Sequence, residues 1–254
     1  MSSRSVIVLL GASNVELALP HVVEALARRV DGPFELFAAI GHGRSYGTSS
    51  RYLARELPSI EASGLWRALE GTRGTQHLAV VADVGNDLMY GASAPTIAGW
   101  IAGCLARLDA LGARRVVVGL PRRRLERVTP LGFALLSTLV FPFHRRREFA
   151  ATRAEARALD DRLRVLAREG AFVEPPLDWF GLDPIHVRRS MRARAFSAIA
   201  EPLGPELRPR WELSVAERRA LAGFHAERRA LFGRPRVHAQ PQLILRDGSS
   251  LSFY

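Results

Sequence analysis

Four short stretches end apolar runs on residues able to do chemistry: Gly11-Ala12-Ser13-Asn14, Gly41-His42-Gly43-Arg44, Gly85-Asn86-Asp87 and Gly181-Leu182-Asp183-Pro184-Ile185-His186. Between them they hold a hydroxyl, an amide, a carboxylate and an imidazole, a set suited to acyl transfer. A serine hydroxyl becomes a useful nucleophile when a general base takes its proton, and neutral imidazole is the usual base. The imidazole needs a carboxylate on its other nitrogen to fix its tautomer and orientation. Asp183 and His186 can meet edge to edge if their loop makes a single tight turn. A tetrahedral intermediate then needs preorganised donors, and the Ser13 backbone N–H, a glycine N–H after the second run and the Asn86 amide would supply them. Each residue also has a plainer reading. Ser13 or His186 can cap a helix, and Asn86, Asp87 or Asp183 can hold a turn. Only together, each ending an apolar run, do the four stretches favour the chemical reading.

That position follows from the elements around them. Strand-like runs fall at residues 5–10, 35–40, 77–84, 115–120 and 171–174, and helical periodicity covers 15–29, 95–111 and 151–168. Runs such as Val80–Val84 suit strands buried on both faces. Their alternation with helices predicts an α/β fold with a mostly parallel sheet and helices on both faces. Gly112 and Gly170 fall where helices should stop. In such a sheet the polar stretches share one carboxyl edge, where open α/β sheets bind their ligands.

In order and spacing these stretches resemble the blocks of the SGNH (GDSL-type) hydrolase family, over about residues 5 to 200. Ser13 in GAS matches the nucleophile that the family carries within GDS, Asn86 in VGND matches the asparagine of G-x-N-D, and Asp183 with His186 matches D-x-x-H. Gly43 fits the family's glycine by its distance from the run before it, with Gly41 as second choice, and Leu120-Pro121-Arg122 resembles the exit of the fourth strand. The chain departs from the pattern at Ala12, where the family has aspartate, at Val84, where it has glycine, and at Val187, where proline is common. The resemblance implies a three-layer α/β/α sandwich of the flavodoxin-like SGNH type. It also implies hydrolysis of esters or thioesters by Ser13, Asp183 and His186, with Ser13, Gly43 and Asn86 as the oxyanion hole and no metal or cofactor.

Other chemistries find less support. All 36 basic residues of the 254 are arginine, which removes any lysine-dependent mechanism, including a Schiff base or a Walker A lysine. Gly41-x-Gly43-x-x-x-Gly47 places its last glycine one residue late for a dinucleotide loop, and Glu61 as a ribose acid is at the right distance by chance alone. There is no G-x-S-x-G nucleophile elbow. The seven histidines show neither H-x-x-x-H nor H-E-x-x-H spacing, so a zinc site is unsupported. The net charge of +11 invites a nucleic-acid reading, but the arginines are scattered with few aromatics among them, as on a solvated surface. The competing class is a basic module that keeps the fold and binds anionic lipid or another polyanion with little or no turnover. A single cysteine, Cys104, in a helical pattern reads as inert core and fits a reducing compartment. The apolar run near the N-terminus is short for a signal peptide, and no stretch approaches the ~18 apolar residues of a spanning helix, so the expectation is cytoplasmic.

Two regions break the alternation. An excursion at 121–150 has an apolar middle, from Leu131 to Phe143, between arginine triplets 122–124 and 145–147. It reads either as an inserted helix or as a lid that meets the acyl chain or an anionic membrane surface. The division expected is a main domain over 1–204, carrying this insertion, and an Arg/Pro-rich extension over 205–254 packed on it. That extension should hold a helix over 214–232, opened by a Ser214-x-x-Glu217 capping box, and a terminal β-hairpin turning at Asp247-Gly248.

Overall fold

The structure is a computed structural model that describes residues 4–72, 74, 76–134, 148–167 and 172–254. Eleven strands are described. They are β1 Ser5–Leu10, β2 Phe34–Ala39, β3 Ser50–Tyr52, β4 Arg55–Leu57, β5 His77–Val81, β6 Arg114–Val118, β7 Phe172–Val173, β8 Arg228–Leu231, β9 Arg234–Val237, β10 Leu243–Ile244 and β11 Ser250–Phe253. The α-helices used below are α1 Ser13–Leu17, α2 Leu19–Ala27, α3 Leu65–Leu69, α4 Asn86–Met89, α5 Ala94–Ala110, α6 Arg122–Leu125, α7 Phe149–Ala167, α8 Arg192–Ala200 and α9 Val215–Leu221.

Seven strands form one sheet in the order β10-β11-β2-β1-β5-β6-β7, with every pairing parallel except β10 with β11. β1 is buried along its whole length, so helices must cover both faces. Its alternate residues feed two cores. Ile7 and Leu9 pack with α2 and α8, while Val6, Val8 and Leu10 pack with α5 and α7. The result is a mostly parallel sheet between two helical layers. Because the chain passes from β2 across β1 to β5, a crevice opens between the carboxyl ends of β1 and β5, the switch point at which such sheets bind ligands.

Several expected elements change length or kind. The helix expected over 15–29 breaks at Ala18 into α1 and α2, with Pro20 in the first turn of the second. The run 77–84 leaves the sheet at Val81, and Asp83 turns to a φ of +60°. Gly112 does end α5, at a φ of +66°, whereas Gly170 lies outside the described residues. Gly47 leads through bends into β3 and not into a helix, so the dinucleotide-loop reading loses the helix N-terminus it requires.

The segment after Gly204 differs most from expectation. The Ser214–Glu217 capping box forms, but the helix it opens ends at Leu221, and residues 228–231 become β8. Phe232 and Gly233, at φ +50° and +73°, make a two-residue turn into β9, and the pair β8–β9 joins β3–β4 in a second, antiparallel four-stranded sheet. The terminal hairpin forms with Asp247-Gly248 in its turn, and its β11 lies inside the main sheet, hydrogen-bonded to β2. Leu213, Leu221, Leu245, Leu251 and Phe253 are buried in the same core as β1. Among the described residues no helix is long and apolar enough to cross a membrane.

Candidate active site

Ser13 is the first residue of α1, immediately past the exit of β1. Gly11 before it lets α1 lie close, since a Cβ there would stand 2.6 Å from Val15 Cγ2. Asp183 and His186 come from the loop after Trp179, which is closed at its base by a bridge between Phe180 and Val187 and by the Arg188 N–H to the Trp179 carbonyl. Within the loop, Asp183 Oδ1 accepts the N–H groups of Ile185 and His186, so the side chain shapes the tight turn that carries the imidazole. Its other oxygen lies 2.7 Å from His186 Nδ1, and His186 Nε2 lies 2.9 Å from Ser13 Oγ. With Nδ1 facing a carboxylate, that nitrogen carries the proton and Nε2 is left to accept the serine hydroxyl. Burial alone would raise the Asp183 carboxyl. The hydrogen bonds from the imidazole and the two backbone N–H groups outweigh it and hold Asp183 below its ordinary value.

Asn86 opens α4 at the exit of β5, and its side-chain amide donates to the Arg44 carbonyl at 3.3 Å, which leaves the second amide hydrogen for another acceptor. Gly43 is the third residue of a turn closed by the Arg44 N–H to the Gly41 carbonyl, at a φ of +68°, and its own carbonyl accepts the Tyr90 hydroxyl. Gly41 is small for a different reason: a Cβ there would meet Leu57 Cδ1 at 2.4 Å. Among the described residues no acceptor meets the N–H of Ser13 or of Gly43. Ser13 and Asn86 line one pocket, and Gly43 lies outside that lining.

Three carboxylates and one amide hold these loops together; the sequence assigns no part to Asp83, Glu16 or Asn14, and to Asp87 only that of a turn residue. The residue at the N-cap of α1 is Ala12, whose methyl group cannot cap it. Asp83 supplies the missing acceptor from across the crevice, taking the N–H groups of Ala12 at 2.8 Å and Val15 at 3.1 Å on one oxygen. Its other oxygen accepts the Asn14 amide at 2.9 Å. Asn14 also donates to the Ile185 carbonyl and accepts the Val187 N–H, so it grips the histidine loop on both sides of His186. The sequence signals were an alanine where a helix should start and an aspartate inside the apolar run 77–84. Asp87 plays a similar part beside Asn86, accepting the Ser45 hydroxyl and the Tyr46 N–H, and burial outweighs both bonds and lifts its carboxyl to about 6. Glu16 of α1 reaches His42 and Arg55; burial would raise its carboxyl, but these partners lower it.

Beside Ser13 the crevice deepens into a pocket of about 160 Å³. Its walls are mainly apolar, among them Leu88, Met89, Leu120, Trp179, Phe180 and Phe196, a composition suited to a hydrocarbon chain. Both described ends of the 121–150 excursion contribute: Leu125, Val128 and Phe133 on one side and Phe149 on the other, with the Phe133 and Phe149 rings 5.3 Å apart. Arg122 and Arg123 are in ion pairs with Asp161 and Glu174, and Arg124 donates to the carbonyls of Gly181 and Leu182. The first arginine triplet is therefore engaged within the molecule, while residues 135–147, with the second triplet, lie outside the described residues. Cys104 is buried in α5 with its thiol pushed up to about 12 by burial, as suits inert core. No cluster of histidine, cysteine, aspartate or glutamate with metal-binding geometry occurs among the described residues.

No family model and no curated protein matches the chain. Nine solved chains match it in fold. One of them, a crystal structure, aligns over 79% of this chain and 97% of its own at a TM-score of 0.53 and 13% identity, a likeness that speaks to the fold alone.

Proposed function

We propose that the protein is a serine hydrolase of the SGNH (GDSL) type that cleaves carboxylic esters or thioesters through an acyl-enzyme on Ser13. The observation that carries this reading is the unbroken hydrogen-bonded chain Asp183–His186–Ser13, assembled from residues 173 positions apart. In the first half-reaction Ser13 Oγ attacks the acyl carbon as His186 Nε2 takes its proton. Asp183, held ionised, keeps the imidazole in its tautomer and stabilises the imidazolium. The oxyanion gains the N–H groups of Ser13 and Gly43 and the amide hydrogen of Asn86 that is not committed to Arg44. The imidazolium then protonates the departing alcohol or thiol. In the second half-reaction water, activated by the same imidazole, releases the acid and restores Ser13.

Two further features favour this reading. The apolar pocket opens beside Ser13, where an acyl chain would lie, and a parallel sheet between helical layers suits the flavodoxin-like SGNH fold. The departures at Ala12 and Val84 remove no group from the mechanism, and Asp83 brings to Ala12 the carboxylate that the family carries within its nucleophile block. The test is a panel of acyl esters from short to long chain, with Ser13→Ala as the blank. Turnover of some members by the parent protein and none by the variant is the expected result. Equal rates for the two proteins on every ester would discard it.

A further inference from the structure

The second sheet carries a feature that neither the core nor the catalytic groups use. Leu53, in the turn between β3 and β4, is 73% exposed, and Phe232, in the turn between β8 and β9, is 80% exposed. Both are held at positive φ, +52° and +50°, a conformation ordinarily left to glycine or asparagine because a bulky side chain is strained there. The Phe232 N–H donates to the Ala54 carbonyl at 2.8 Å, so the two turns form one tip. Strain spent on exposing two large apolar side chains brings the fold nothing, which points outward to a partner.

The surroundings of the tip say what kind of partner. The segments 50–57 and 228–237 hold six arginines against a single glutamate. Arg51 pairs with Glu56 and Arg55 with Glu16, while among the described residues Arg228, Arg234 and Arg236 meet no carboxylate. We propose that this arm docks on an anionic lipid surface, with Leu53 and Phe232 entering the interface and the arginines meeting head groups. An apolar tip ringed by cations is the arrangement such an interface accepts. A second copy of the chain fits less well, because edge strand β9 presents Pro235 and two arginines, which oppose strand pairing. A nucleic acid would satisfy the arginines and leave the tip in water.

The arm also bears on the site. Tyr52, next to Leu53, lies against the His42 ring at a centroid distance of 5.5 Å, and Arg55 donates to the His42 carbonyl, one residue before Gly43. Docking would therefore bring the carboxyl edge of the sheet to the lipid surface. The docking claim stands on the arm alone, and only its value for substrate delivery rests on the hydrolase reading.

The experiment is co-sedimentation of the full chain with phosphatidylcholine vesicles with and without phosphatidylglycerol. The variants are Leu53→Asn with Phe232→Asn, which keeps the backbone comfortable at positive φ, and Arg234→Gln with Arg236→Gln. The parent protein should bind the anionic vesicles, more weakly as salt rises. The asparagine pair should lower that binding roughly tenfold or more, with thermal stability no lower than the parent's and any hydrolysis of a soluble short ester unchanged, and the glutamine pair should flatten the salt dependence. The proposal is overturned if the parent protein ignores anionic vesicles, or if the asparagine pair binds them as the parent does. It is equally overturned if the tip proves to govern self-association in sedimentation equilibrium and not vesicle binding. Vesicle binding that depends on the tip in a protein that hydrolyses no ester would keep this proposal and remove the hydrolase reading.

Discussion

The exits of β1 and β5 and the exit of β6 lie side by side on one edge of the sheet, and they are built in opposite ways. At the first, Asp83, Asn14 and Asp87 bind across the crevice through directional hydrogen bonds, several to a carboxylate. At the second, the pocket wall running from Leu120 through Leu125, Val128 and Phe133 is almost wholly apolar. Charge-assisted hydrogen bonds fix position to a fraction of an ångström, which a nucleophile and its base require. Apolar surface is non-directional and tolerates ligands of different length. On the proposed reading, the contrast separates two tasks, setting the geometry of the reacting atoms and choosing the acyl group.

Substitutions on the two sides should therefore fail differently. The largest effect belongs to the reacting groups. Ser13→Ala and His186→Ala should each lower kcat by on the order of 10⁴-fold or more, and the double variant should be scarcely worse, since residues acting as one unit are strongly non-additive. Independent, multiplying losses would mean that they do not act together. Next comes Asn86→Ala, with a fall of roughly 10²–10³-fold in kcat and little change in KM; a change in KM alone would make Asn86 a ground-state contact.

Asp83→Ala should follow. It strips the acceptor from the Ala12 and Val15 N–H groups, so stability should drop by about 2 kcal/mol. The displaced serine should cost roughly 10–10²-fold in kcat, with KM for a short ester near its parent value. Asp83→Asn, which retains one oxygen acceptor, should recover part of both losses, and full activity in the alanine variant would show that α1 holds its place unaided. The smallest effect is expected across the crevice. Phe133→Trp should lower kcat/KM for the longest acyl chains by about tenfold, a typical limit for apolar pocket contacts, and leave the shortest ester untouched. A loss independent of chain length would erase the distinction between the two regions.

The same contrast governs how much of the molecule could be read from its sequence. β1 was legible to the residue, because a run buried on both faces has no polar interruption. The turn that joins Asp183 to His186 was legible because its bonds are local. Asp83 was not, since its partners at Ala12 and Val15 lie far away in sequence and meet it only once β1 and β5 are neighbours. Nor was the place of β11 between β10 and β2, because strand order in a parallel sheet is decided by packing. The helix expected through Phe232 failed for a related reason: Arg228–Leu231 carries no apolar period long enough to decide between helix and strand, and pairing with β4 chose the strand. Apolar composition marked the 121–150 excursion as a region that must be covered; of its apolar middle Phe133 lines the pocket, Leu131 is exposed, and residues 135–143 lie outside the described residues.

Covalent labelling reads out whether Ser13 is an activated nucleophile. The protein would be treated with a fluorophosphonate, which adds irreversibly to an activated serine, and the modified peptide located by mass spectrometry. One label on Ser13 is expected, absent from Ser13→Ala and strongly slowed in His186→Ala. A protein that stays unlabelled, or carries the label on another serine, would contradict it.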